Sequence, residues 1–322
     1  MARLAGTVAV VTGASSGIGR ATALRFAREG AGVALAARSK EALAHVREAI
    51  ERDGGRAIAL ECDVADEDAV EALAERAEAD LGPLGVWVNN AAVLAMGKFE
   101  ETPPEVFRRV VATNLMGTVN GARSALRRFR AHGRGVLVNV SSIDGRIAPP
   151  YTTAYSASKH AVLGFSAALR QELLLEGARR IHVCTVLPAA MDTPLFQHAA
   201  NFTRFGLRAV PPVYSPERVA RVIVRLARRP RREVLVGSSA HTLSAAWTVA
   251  PALTERLVAR GADREHLEKD HGAAETPGNA FGPMGPESET GGWRPPRRWL
   301  RRAAWIGIPA VAAALLLSRR DE

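Results

Sequence analysis

With 322 residues, 47% of them hydrophobic and 24% charged, the chain has the composition of an ordinary globular protein, with room for one large domain or two small ones. A formal net charge of +10 raises nucleic acid or an anionic membrane as partners. Half of that excess sits in the last thirty residues, where Arg294, Arg297, Arg298, Arg301, Arg302, Arg319 and Arg320 face only Asp321 and Glu322. The body has no aromatic-interleaved basic stripe, zinc-ligand spacing or recognition helix, which excludes nucleic-acid binding as its main function and gives no reason to expect a metal.

Thr7-Val8-Ala9-Val10-Val11 is a β-branched run of the kind a buried parallel strand requires. Its apolar part is too short for a signal peptide, so a cytoplasmic protein is expected. Thr12-Gly13-Ala14-Ser15-Ser16-Gly17-Ile18-Gly19 follows, then an amphipathic helix to about Glu29 that Gly30 closes. A strand, a glycine turn and a helix start make an anion site, because free backbone N–H groups and the helix dipole face a phosphate. The spacing is G-x-x-x-G-x-G, and a purely structural turn is the alternative. The second strand, Gly32–Ala37, ends at Arg38, Ser39 and Lys40. Sites for NAD(H) place an acidic residue there for the adenosine ribose. Here Ala37 is neutral and Arg38 cationic, which favours a 2′-phosphate and so NADP(H) over NAD(H); the alternative is a solvated strand-end arginine.

A helix through about Asp53 and the strand Ala57–Glu61 lead to Cys62-Asp63-Val64. Asp63 is placed to accept from an adenine amino group or to cap the helix that starts near Glu67. Cys62 and Cys184 lie in separate apolar stretches and read as core residues, not as a disulfide. Leu84–Val88 is the fourth strand, closed by Asn89-Asn90-Ala91-Ala92, where small residues admit a cofactor and the amides brace backbone. Asn114 falls inside the helical run Val106–Leu126, where an asparagine usually faces water.

Val136–Val140 is the next strand, and Ser142 just past its end carries a hydroxyl free to polarise a substrate oxygen. Tyr155 and Lys159 are four apart in a stretch that reads as helix from Ala157 to about Glu176, which puts both on one face. An ammonium beside a phenol lowers its pKa from about 10 toward neutrality, as a general acid/base requires. Strand six, Ile181–Leu187, ends at Pro188-Ala189, with Thr193 five residues past the proline. The alternation from residue 7 to 187 specifies an α/β fold, a doubly wound parallel sheet of right-handed βαβ units. Leu195–Val213 reads as a lid or apolar substrate wall, or else a packed surface helix. Pro216–Ala227 is a helix and Glu233–Gly237 a last strand, with Arg225, Arg228, Arg229, Arg231 and Arg232 between them as a solvated helix end, or one facing anionic lipid.

Together these marks resemble the short-chain dehydrogenase/reductase family: Thr12–Gly19 as TGxxxGIG, Asp63, Asn89–Ala92, Asn114, Ser142, Tyr155–Lys159 as YxASK, and Pro188 with Thr193, in order over residues 1 to about 240. Ala92 and Ala189 replace family glycines. The resemblance implies a Rossmann-type catalytic domain over 1–260. Tyr155 would be its acid/base, Lys159 would lower the tyrosine pKa and bind the nicotinamide ribose, and Ser142, in preference to Ser141, would orient the carbonyl. Asn114 would hold a relay water. It further implies cofactor contacts at Gly13, Ser15, Ser16, Gly17, Ile18, Gly19, Arg38, Asp63, Val64, Asn90, Ala91, Tyr155, Lys159, Pro188 and Thr193, and pairing into dimers or tetramers. The implied reaction is hydride transfer between nicotinamide and the carbonyl or alcohol of a small apolar substrate. A cofactor-binding scaffold or redox sensor without turnover is the alternative, against which the intact Asn-Ser-Tyr-Lys set argues.

Residues 261–300, rich in Gly, Pro, Ser and Glu from Ala273 to Pro296, read as a disordered linker, and 301–322 as a basic-flanked tail. Its uncharged run Ala303–Leu317 spans about 22 Å as a helix, short of the roughly 30 Å hydrocarbon core. A marginal anchor, an interfacial helix and a segment docked on the protein itself stay open, and membrane attachment is the expectation.

Overall fold

Every residue of β1 (Val8–Thr12) is buried, because helices cover the sheet on both faces. The computed structural model describes residues 4–285 and 287–294. After β1 come α1 (Gly17–Arg28), β2 (Gly32–Ala37), α2 (Lys40–Arg52), β3 (Arg56–Glu61), α3 (Glu67–Leu81), β4 (Leu84–Asn89), the two-residue β5 (Ala95–Met96) and α4 (Pro104–Val111). One π-helical turn, Ala112–Met116, joins α4 to α5 (Gly117–His132). The chain continues with β6 (Gly135–Val140), α6 (Thr153–Leu175), β7 (Ile181–Pro188), β8 (Ala200–Asn201), β9 (Phe205–Leu207), α7 (Pro216–Leu226) and β10 (Glu233–Val236), then α8 (Ser238–Val249), α9 (Pro251–Glu265) and β11 (Leu267–Gly272).

The sheet has seven parallel strands in the order β10-β7-β6-β4-β1-β2-β3. Strand order reverses between β1 and β4, and in such a sheet the ligand crevice opens beyond the strand carboxyl ends at that point. Phe26 of α1, Ile50 of α2 and Ile223 of α7 cover one face, and Leu73 of α3, Phe129 of α5 and Leu173 of α6 the other. The expected α/β architecture is therefore the observed one. A polar ladder crosses the second layer: Trp87 Nε1 donates to Asn89 Oδ1 at 2.7 Å, Asn89 Nδ2 to Asn139 Oδ1 at 2.9 Å, and Asn139 Nδ2 to Ser166 Oγ at 2.9 Å. Each buried amide thus has partners, which ties β4 and β6 to α6 at a fixed register.

Four differences from the sequence reading bear on the site. The helical run through Asn114 is not one regular helix, and the π turn directs Asn114 into the interior, not to water. α6 begins at Thr153, so Tyr155 lies inside its first turn. Beyond β10 the chain adds α8, α9 and β11, and β11 pairs antiparallel with β9. Residues 273–285 and 287–294, expected as part of a linker, run as a strap against the main fold. No helix among the described residues is long and apolar enough to cross a membrane, and the run 303–317 lies outside the described residues.

Candidate active site

The first turn of α1 and the ends of β1, β2, β4, β6 and β7 open on one cavity of about 670 Å³. Its wall carries Gly13, Ser15, Ser16, Gly17, Ile18, Arg38, Asp63, Val64, Asn90, Ala91, Pro188 and Thr193, and also Ser142, Tyr155 and Lys159. Two expected residues stand behind the wall. Gly19 packs so closely that a Cβ there would lie 2.0 Å from the Gly13 carbonyl oxygen, so only glycine permits this turn. Asn114 is fully buried; its Oδ1 accepts from Val93 N at 2.8 Å, while Nδ2 donates to Val93 O at 3.0 Å and Ser158 Oγ at 3.1 Å. It braces the loop after β4 against α6. Asn90 has the matching task on the other side, donating from Nδ2 to Thr12 O at 2.9 Å.

This cradle fits a dinucleotide. A positive φ at Gly13 and Gly17 bends the backbone around the start of α1, whose dipole suits a pyrophosphate, while Gly17 N itself donates to Ser288 O. Asp63 does not cap a helix, since Asp66 takes that role for α3, its carboxylate accepting from Asp68 N and Ala69 N. Burial pushes the Asp63 carboxyl up, but its ion pair with Arg109 and the N–H of Ala65 outweigh burial and hold it below the usual range.

The Ser142, Tyr155 and Lys159 cluster differs from expectation in its electrostatics. Tyr155 and Lys159 share a face of α6, with Lys159 Nζ 5.6 Å from the tyrosine ring centroid. Nζ donates to Val140 O at 2.9 Å and not to the phenol. The Tyr155 phenol is not depressed: burial raises it, the Asp144 charge raises it further, and a hydrogen bond with Ser142 opposes them. Burial brings Lys159 down to about 8 against the pull of Asp144. Asp144, in the turn Ile143–Gly145 after Ser142, is pushed up to about 7 by burial, with Lys159 opposing. Sequence reasoning passed over this carboxyl, although a charged residue two positions after the serine was visible. Ser141 is the lesser candidate, because its hydroxyl donates to Lys159 O at 2.9 Å. Ser142 is the serine that meets Tyr155.

The segment expected as a lid walls the cavity through Leu195, Phe196 and Val210. Phe196 stacks on His266 with ring centroids 5.5 Å apart, and Tyr151 Oη donates to Asp263 at 2.7 Å, so α9 helps hold this wall. Leu243 of α8 and Leu257 and Val258 of α9 complete an apolar chamber next to Tyr155. Neither helix was read from the sequence. Strap residues Asn279, Pro283, Met284 and Glu287 line the dinucleotide half. Cys62 and Cys184 are buried, free thiols, pushed by burial up to about 12 and about 11.

The sequence profile of the short chain dehydrogenase family matches residues 7–203. The chain belongs to that family. An uncharacterized oxidoreductase of Bacillus subtilis, YxnA, is 35% identical over 258 residues, which are 80% of this chain and 72% of the relative. A 3beta-hydroxysteroid dehydrogenase of Mediterraneibacter gnavus is 38% identical over 201 residues, 62% of this chain and 71% of the relative. A crystal structure of a Burkholderia phymatum short chain dehydrogenase/reductase in complex with NAD superposes with a TM-score of 0.68 at 25% identity, covering 77% of this chain and 96% of that one. The dehydrogenase is thus an NAD(P)-dependent oxidoreductase, and its cradle and Ser-Tyr-Lys cluster lie on one cavity wall.

Proposed function

We propose that this dehydrogenase interconverts a secondary alcohol and its ketone on an apolar substrate. The observation that carries the reading is the meeting of Ser142 and Tyr155, beside Lys159, where the dinucleotide cradle joins a chamber walled by Leu195, Leu243 and Val258. When bound, the nicotinamide supplies or accepts the hydride. In the reductive direction the Tyr155 Oη gives its proton to the carbonyl oxygen, and Ser142 Oγ donates to the same oxygen and orients it. Lys159, held by Val140 O, places positive charge near the ring and eases that proton's departure. Asn114 keeps α6 in place against the loop after β4. The similarity to a 3beta-hydroxysteroid dehydrogenase supports bulky apolar alcohols as the first substrates to try. The test is turnover of hydroxysteroids, fused-ring ketones and aryl ketones with either dinucleotide, and failure across all of these classes, with cofactor binding intact, would defeat the reading.

Two cofactor readings each have an observation behind them. Arg38 at the end of β2 supports NADP(H), since a guanidinium is the natural partner of a 2′-phosphate. Its two terminal nitrogens, however, donate to Ala280 O at 2.9 Å and Asn279 O at 2.5 Å, which supports NAD(H). Membrane attachment through residues 303–317 belongs to the proposal as well; deletion of 297–322 should move the protein from a membrane to a soluble fraction.

A further inference from the structure

The strap is fastened along its whole described length. Asn201 and Thr276 exchange backbone hydrogen bonds at 2.8 and 3.0 Å, and Asn279 N donates to His198 O at 2.8 Å. Gly278 lies so close to Ala199 that a Cβ would meet its carbonyl carbon at 2.4 Å. Arg109 Nε joins Arg38 on Ala280 O, at 2.9 Å. Further on, Gly17 N at the start of α1 donates to Ser288 O at 3.0 Å. Past that point Asp192 Oδ1 accepts from Gly291 N and Trp293 N at 3.1 and 2.8 Å. Segments that merely cover a surface do not need to engage a phosphate-binding turn and a strand-end arginine together.

Between these fastenings the strap carries Glu287 onto the cavity wall, against Ser15 and near Arg38. Its Oε2 is buried and has no hydrogen-bond partner among the described residues, although the carboxyl group takes a hydrogen bond from Ser15. A buried acceptor without a donor is a cost that a ligand donor removes. The end of β2 is where an adenosine ribose lies in a doubly wound site, and there a carboxylate accepts from the 2′-hydroxyl of NAD. β2 supplies no such group, because Ala37 and Arg38 stand at its end.

We infer that Glu287 is the ribose acceptor of this dehydrogenase, delivered by the C-terminal strap in place of the acidic residue that β2 lacks, and that the strap makes the site selective for NAD(H). A 2′-phosphate would bring negative charge against the Glu287 carboxylate in a half-buried site, while Arg38, which would otherwise neutralise it, is engaged by Asn279 O and Ala280 O. Removing the Glu287 charge therefore does two things. It weakens the hold on a 2′-hydroxyl, and it leaves the positive charge of Arg38 without a carboxylate opposing its pull on a nearby phosphate.

This rests on the reading of the cavity as a nicotinamide dinucleotide site. The test is direct binding, with the full chain titrated by NADH and by NADPH and nicotinamide fluorescence as the signal, for wild type, Glu287→Gln, and Glu287→Gln combined with Arg38→Ala. Wild type should bind NADH about tenfold tighter than NADPH, the scale of one charge-assisted hydrogen bond. Glu287→Gln, which keeps the shape of the side chain, should erase or reverse that ratio, and Arg38→Ala should take away the NADPH affinity so gained. Tighter NADPH binding by wild type, or an unchanged ratio in Glu287→Gln, overturns the inference while leaving the dinucleotide site standing. No binding of either dinucleotide to wild type overturns both.

Discussion

The two sides of the cavity are held by different physics. The side built from the ends of β1, β4, β6 and β7 rests on parallel ladders and on buried amides such as Asn89, Asn114 and Asn139, each with its partners in place. The side built from residues 195–213, 267–285 and 287–294 rests on short strand pairs and on side chains that catch the backbone of the strap: Arg38, Arg109 and Asp192. The first kind of wall is costly to deform and suits chemistry that needs fixed distances. The second opens at the expense of a few hydrogen bonds and suits selection and exchange of ligands.

The sharpest way to break this division is at Tyr155. Replacing it by Phe removes one oxygen from the rigid side, and turnover should fall by about a thousandfold, within the range of lost general acid/base catalysis. NADH affinity should stay within about twofold, because a proton donor adds little to ground-state binding. Activity that survived in Tyr155→Phe would mean that the rigid wall does not carry the proton. Next in size is Gly19→Ala. The added methyl cannot coexist with the Gly13 carbonyl oxygen at 2.0 Å, so the turn must open. A cost of about 1–3 kcal/mol in stability is expected, together with dinucleotide affinity weakened by at least about tenfold, because the anion site is the turn itself. Thermal melting and a NADH titration check both halves; a melting point and affinity equal to wild type would show the turn to be pliant.

The same division decides what could be read from the sequence. β1, β2 and β7 carry near-continuous apolar runs, and a parallel strand covered on both faces admits nothing else, so their limits were legible to within a residue or two. Tyr155, Lys159 and Ser142 were legible because helix geometry and a strand end fix their neighbourhood. The Tyr155 pKa direction was not, since it depends on burial and on Asp144, a charge whose placement in the cavity no spacing announces. α8 hid behind small residues, Ser, Ala and Thr on all sides, that give no helical stripe. The strap hid because its composition is that of a linker, and its contacts use its backbone: the carbonyls of Asn279, Ala280 and Ser288 and the N–H groups of Gly291 and Trp293. Backbone groups are the same in every sequence. Side chains far away in the chain, Arg38, Arg109 and Asp192 among them, single them out.

Asp144 gives a pH test of the rigid side. Its folded pKa of about 7 lies above the roughly 4 of an unfolded aspartate, so the native state binds the proton more tightly. Stability from this group is therefore greatest below pH about 4, declines as pH rises toward about 7, and is level above that. Asp144→Asn should flatten this decline in denaturation curves taken across that range. Removing the charge should also bring the Tyr155 phenol down and move the rising limb of the alcohol-oxidation pH profile to lower pH, while Lys159, losing its opposing charge, falls further below about 8. Superimposable pH–rate profiles for wild type and Asp144→Asn would show that the carboxyl does not act on the phenol.

The smallest effect belongs to the second wall and tests whether it opens independently. Asp192 is buried, and a single carboxylate oxygen receives both strap N–H groups, Gly291 and Trp293. Asp192→Ala removes these two charge-assisted bonds but no part of the sheet, so the strap should open locally about tenfold more often, a modest share of what two such bonds are worth. Hydrogen exchange at Gly291 and Trp293 reads that opening directly, and amides of β1 and β4 serve as the internal reference. Faster exchange confined to the strap, with β1 and β4 unchanged, is what two separately held walls require. NADH should then dissociate a fewfold faster, since Glu287 rides on the same strap, while turnover of bound substrate keeps its rate because Ser142, Tyr155 and Lys159 have not moved. Exchange that rose equally in β1, β4 and the strap would mean that the strap and the sheet open as one unit, and the contrast between the two walls would have no energetic content.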